Sequence, residues 1–150
     1  MDIWWIVKTL HILSATVLFG TGLGIAFFFL MAHRQNDRAA RALAARTTVR
    51  TDFCFTLPAV IVQPVTGIWL IRAGGHDWTA PWLLASYALY ILAGACWLPV
   101  VWIQLRLARA LETVTIPAEY AKLFRIWFAL GWPAFAALVV ICYLMVAKPT

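Results

Sequence analysis

Two histidines inside one long uncharged run are the residues of this sequence most in need of a chemical role. Residues 9–33 hold His11 and His33 and no Asp, Glu, Lys or Arg. An ionisable group inside a membrane is expensive, so it is a functional candidate by default. His11 lies about two helical turns inside the outer boundary of a span that begins near residue 3, with Lys8 about one turn above it. Imidazole is a usual axial ligand of haem iron in membrane bundles, and Lys8 or Arg72 could pair with propionates. The competing reading is a histidine hydrogen-bonded to a neighbouring helix. His33 follows His11 by 22 residues, which on a helix separates them by roughly 33 Å and about 40°. They cannot share one iron. His33 could serve a second haem, with Arg34, Arg38 and Arg125 as propionate partners. Between the two runs a track of Ala15, Leu18, Gly22, Ala26 and Phe29, able to accept a flat macrocycle or to pack a neighbouring helix.

The elements that must position these residues follow from composition. The chain has 150 residues, 64% hydrophobic and 12% charged, far from the roughly 25% charged composition of soluble domains. Residues 9–33, 53–71, 78–105 and 126–147 are free of charge, and each is long enough to cross about 30 Å of hydrocarbon as a helix. The expected fold is an all-α integral membrane four-helix bundle, a single domain over 1–150 with spans of about 3–33, 53–72, 78–106 and 123–147. A β-barrel would show short alternating segments instead. The first span is too long, and lacks a small-residue cleavage site, to be a removable signal peptide.

The net charge of +6 does not point to nucleic acid, because basic residues in a membrane chain mark cytoplasmic loops. Nine of them (Arg34, Arg38, Arg41, Arg46, Arg50, Arg106, Arg109, Lys122, Arg125) fall in two connections; Lys8, Arg72 and Lys148 fall on the other side. That asymmetry predicts a multi-pass protein of the bacterial cytoplasmic membrane with both termini in the periplasm. The first basic connection, RAARALAAR, reads as a helix, either an extension of the first span or an interfacial segment. Trp4, Trp5, Trp78 and Trp82 would form an outer aromatic belt. Pro58, Pro64, Pro99 and Pro133 lie inside spans and each frees a carbonyl. Gly20 and Gly24 form a GxxxG that reads as helix packing. The three cysteines lie at different depths and read as packers. No charge lies deep in any span, so an ion or proton relay lacks parts.

Four strings, LHILSATVLFGTGLGIAFFFLMAHR, LPAVIVQPVTGIWL, GACWLPVVWIQLR and FRIWFALGWPAFAALVVICYLMVAKP, carry a resemblance over nearly the whole chain. It resembles a family of bacterial integral membrane proteins with a domain of unknown function. The pattern is also distantly similar to HemJ-type protoporphyrinogen oxidases, small four-helix haem proteins. Their Lys–x–Leu/Phe–His start is matched by Lys8–Thr9–Leu10–His11, and the histidine ending their first helix by His33. Pro58–Ala59, Gly67–Ile68–Trp69–Leu70 and Lys148–Pro149 match further features. The third-helix lysine of that pattern is replaced by Ser86, and the Asn–Glu pair before the fourth-helix proline by Leu130–Gly131–Trp132. The resemblance implies haem binding, while the acid–base groups that a porphyrinogen oxidation would use are absent.

The functional expectation is therefore a b-type haem protein with a redox or electron-transfer role. His11 and His33 would be metal ligands, with Lys8, Arg34 and Arg125 around the cofactor. Its partners would be the bilayer, a quinone or redox protein, and a second copy in a homo-oligomer. The alternatives are a non-enzymatic membrane subunit or assembly partner with structural histidines, and a HemJ-like porphyrinogen oxidase.

Overall fold

The computed structural model describes residues 2–35, 37–113 and 115–149. Five α-helices run in the order α1 (Ile3–Arg34), α2 (Arg38–Thr51), α3 (Leu57–Ala73), α4 (Pro81–Ala110) and α5 (Tyr120–Ala147). A π-helical turn, Asp52–Thr56, joins α2 to α3. The result is an all-α bundle with four helices long and apolar enough to span a membrane. The basic segment is helical but extends the second span rather than the first: α2, the π-turn and α3 run on as 36 residues. At 1.5 Å per residue that is about 54 Å, well beyond about 30 Å of hydrocarbon.

The π-turn has a local cause. Pro58 has no N–H for the Cys54 carbonyl, and its ring crowds that carbonyl. The helix widens just upstream, and the Leu57 N–H reaches back to the Asp52 carbonyl. Such turns are short and recur at functional sites.

The helix ends are built from ordinary capping chemistry. Asp37 accepts from the Ala39 N–H at 2.8 Å and opens α2. After α3, Gly75 takes φ 63 and the His76 N–H reaches the Ile71 carbonyl at 3.1 Å, the left-handed closure that glycine permits. A side chain on Gly74 would meet the Leu70 carbonyl oxygen at 2.9 Å. Asp77 then accepts from the Thr79 N–H and hydroxyl, which hold its carboxyl below the usual carboxylate range.

Packing divides the molecule into two hairpins. α1 lies along α3, and α4 lies along α5. Between hairpins the close contacts are α1 with α5 and α2 with α4. The densest core sits at the end carrying the basic connections. Ala42, Ala44 and Ala45 of α2 meet Phe29, Leu107, Leu111, Tyr120, Phe124 and Trp127 there. Small residues on α2 allow that close approach. Arg38 donates to the Leu111 carbonyl at the exposed end of α4.

Outward faces are apolar. Ile61, Val65, Ile91, Leu98 and Tyr143 are largely exposed, which suits a hydrocarbon solvent. Gly20 and Gly24 of the GxxxG have nothing within 4 Å of a built Cβ, so they pack no helix of this chain. The opposite end gathers tryptophans and cations: Trp4 meets Trp69, and Lys8, Arg72 and Lys148 lie over Trp5, Trp78 and Trp82. Lys148 over Trp82 places the end of α5 beside the turn before α4, so both termini share that end.

Candidate functional site: an apolar cavity with a carboxyl at its basic end

His11 is held by α3. Trp-rich packing brings the N-terminal half of α1 against α3, and Gly67 makes room, since a Cβ there would stand 3.2 Å from His11 Cε1. The Thr66 hydroxyl donates to the Val62 carbonyl at 2.7 Å. It therefore accepts from His11 Nδ1, at 2.8 Å. That makes Nδ1 the protonated nitrogen, and Nε2 accepts from Gln63 Nε2 at 3.2 Å. The Gln63 carbonyl oxygen accepts from the Ser14 hydroxyl. The imidazole and both hydroxyls of the set thus find partners, as a polar cluster in lipid requires.

His33 is held differently. Its ring stacks on Phe124, centroids 3.6 Å apart, and Nδ1 lies 3.4 Å from the Tyr120 hydroxyl. Lys8, Arg34 and Arg125 are exposed. Lys8 is on Trp5, at the opposite end of the molecule from the other two. Lys8 thus shares its end of the bundle with His11, and Arg34 and Arg125 share the other with His33, the two separate groups that the sequence spacing requires.

The structure also opens a cavity of about 390 Å³ between the hairpins, within the range of small-molecule pockets. Three members of the α1 track, Leu18, Gly22 and Ala26, line it. Gly94 of α4 and Gly131 of α5 line it as well, and none of these three glycines has an atom within 4 Å of a built Cβ. The absent side chains are part of the reason the space exists. Tyr90 also lines it, and its hydroxyl donates to the Val60 carbonyl at 2.6 Å. Pro64 leaves that carbonyl without its helical donor, and α4 supplies the missing one.

Sequence reasoning missed the polar end of this cavity. Asp52, first residue of the π-turn, is 3% exposed, and Gln104 of α4 is 0% exposed. Trp127 Nε1 donates to Gln104 Oε1 at 3.2 Å. Because indole only donates, this fixes the amide, and Gln104 Nε2 donates to Asp52 Oδ2. The three residues lie two positions inside Arg50, Arg106 and Arg125 respectively, about 3 Å deeper by helical rise. Among the described residues the one ion pair is Arg106–Glu119, which does not involve Asp52. Trp97, also on the wall, and Thr56 add hydrogen-bonding groups beside the Asp52 carboxyl. A charge-free run that begins at residue 53 hides Asp52 from any count of charges within spans. The signal that could have found it is Pro58, which predicts a helix irregularity one turn and a half downstream of a carboxyl.

Of the two histidines, His11 has no free ring nitrogen for the haem iron that the HemJ resemblance implies. Both His11 nitrogens are engaged by α3 side chains, His33 packs on Phe124, and neither histidine lines the cavity. Among the described residues no group of three His, Cys, Asp or Glu could hold a metal ion.

No curated protein and no solved structure matches the chain. The family model for a predicted integral membrane protein, DUF2269, matches residues 5–149. With that match covering nearly every residue of the four-helix bundle, the chain belongs to the DUF2269 family of integral membrane proteins.

Proposed function

We propose that the protein is a small bacterial cytoplasmic-membrane protein that binds one apolar molecule of the bilayer between its two hairpins. The quinone–quinol class is the first candidate. Its histidines are structural, and any redox role belongs to the bound molecule. The observation that carries this reading is the cavity of about 390 Å³, walled by apolar side chains and three unopposed glycines, with a buried carboxyl at one end. An interior of this kind loses dispersion contacts unless something fills it. A pocket mostly apolar with a few fixed polar groups is the usual form of a small-molecule site.

The test is to purify the protein, extract it and identify the neutral lipids retained per protein by mass spectrometry. Gly94→Leu and Gly131→Leu should fill the cavity and reduce that retained fraction several-fold while the protein still inserts. An unchanged extract would overturn the reading. So would a Soret band in the parent that vanishes in His11→Ala, which would restore haem as the ligand.

A further inference from the structure

The seam between α1 and α5 that faces the lipid ends in arginines. We infer that this seam holds an anionic phospholipid, its phosphate among Arg34, Arg41 and Arg125 and one acyl chain lying along Leu23, Phe27 and Trp132. The site is on the outer surface, so it goes beyond the cavity and does not depend on what fills it.

Three helices bring the cations to one place. His33 of α1 stacks on Phe124 of α5, centroids 3.6 Å apart, and the residue after each ring is an arginine, Arg34 and Arg125. The stack therefore sets two exposed arginines on neighbouring helices at nearly one level. Arg41 of α2 lies within electrostatic reach of His33 and of Tyr120. Its Nε donates to the Gln35 carbonyl at 2.9 Å, next to Arg34. The carboxylates nearest in sequence are engaged: Asp37 takes the Ala39 N–H, and Glu119 pairs with Arg106. Among the described residues no ion pair involves Arg34, Arg41 or Arg125. Guanidinium groups gathered without a counter-ion repel one another. A phosphodiester relieves that repulsion and offers oxygens to each fork.

Depth and surroundings make the anion a lipid's. Arg34 and Arg125 are the first charges beyond the uncharged runs 9–33 and 126–147, so they stand at the hydrocarbon boundary, where head groups begin. Basic positions between spans at that boundary are a recurrent head-group site. Phe27 precedes Arg34 by seven residues, and Trp132 follows Arg125 by seven. Seven residues bring a helix back to within about 20° and move it about 10 Å along its axis. Each arginine therefore continues the line of an aromatic side chain that is 62% exposed. A head group at the arginines lays its chain on those aromatics. Free phosphate leaves the apolar line unused, and a zwitterionic lipid brings its ammonium up to the cations.

Native mass spectrometry of the full chain in detergent tests this, with phosphatidylglycerol and phosphatidylcholine of identical chains as probes. The parent should bind phosphatidylglycerol about tenfold more tightly, the scale of a charge-assisted hydrogen bond. Arg34→Gln combined with Arg125→Gln should cut that preference to about twofold or less. Arg46→Gln combined with Arg109→Gln removes the same charge from α2 and α4 and should keep it. No preference in the parent, or equal loss in both double variants, would overturn the seam site and leave only a general attraction of the basic end for anionic lipid. Displacement of the lipid by inorganic phosphate would overturn it in favour of a plain anion site. Loss of phosphatidylglycerol binding in Gly94→Leu, with the arginines in place, would put the lipid in the cavity and overturn the seam.

Discussion

Two polar side chains, His11 and Asp52, face the same demand at opposite ends of the bundle, since a polar group in hydrocarbon must find partners in the protein. His11 finds them on α3 in Gln63 and Thr66, and the Ser14 hydroxyl completes the set through Gln63. Both imidazole nitrogens are taken by α3 side chains, so the cluster holds α1 to α3. Removing the imidazole leaves the Gln63 amide without its acceptor. His11→Ala should therefore destabilise the protein by about 1–3 kcal/mol, read as a lower midpoint in thermal or SDS unfolding. A variant as stable as the parent would show that the cluster contributes nothing. The imidazole was conspicuous in the sequence because it interrupts an apolar run. Its partners were not, because Gln63 and Thr66 lie 52 and 55 residues away and nothing in α1 names the opposing helix. Asp52 finds its partners across elements, in Gln104 and Trp97 of α4, and within its own turn in Thr56.

At the scale of the element, the prolines of the second span divide the work. Pro58 widens the helix into the π-turn that starts at Asp52, and Pro64 frees the Val60 carbonyl that Tyr90 takes up. The second contact matters because α3 packs mainly on α1 and has little else joining it to α4. Tyr90→Phe should cost about 1 kcal/mol by orphaning that carbonyl. Pro64→Ala returns a helical N–H to it, so in that background Tyr90→Phe should be nearly neutral. A double-mutant cycle in SDS unfolding reads the coupling, and strict additivity of the two changes would contradict it. The four spans were legible in the sequence because each is a charge-free run of membrane length, and so was the track of Leu18, Gly22 and Ala26, which follows from helical spacing. The cavity facing that track was not, because it depends on α4 and α5 bringing Gly94 and Gly131 to the same depth. The continuity of α2 with α3 was also hidden. An arginine-rich segment beside an uncharged run looks like a loop-side extension whichever span it joins.

At the scale of the whole molecule, the termini share one end and nine of twelve basic residues lie at the other or in its connections. Lipid charge and the insertion machinery act on that asymmetry. A phosphatase fused after the last residue should be active in the periplasm, and a fluorescent protein fused there should be dark. The opposite pattern would invert the orientation. The cavity is not sealed from the membrane, because Leu23, Phe27 and Trp132 line it while being 52%, 62% and 62% exposed on the outer surface. A molecule reaching it passes between the hairpins from the lipid phase without crossing water. Its occupancy is then set by mole fraction in the bilayer and not by concentration in buffer: diluting the protein into excess lipid empties the site, and washing the membrane leaves it filled.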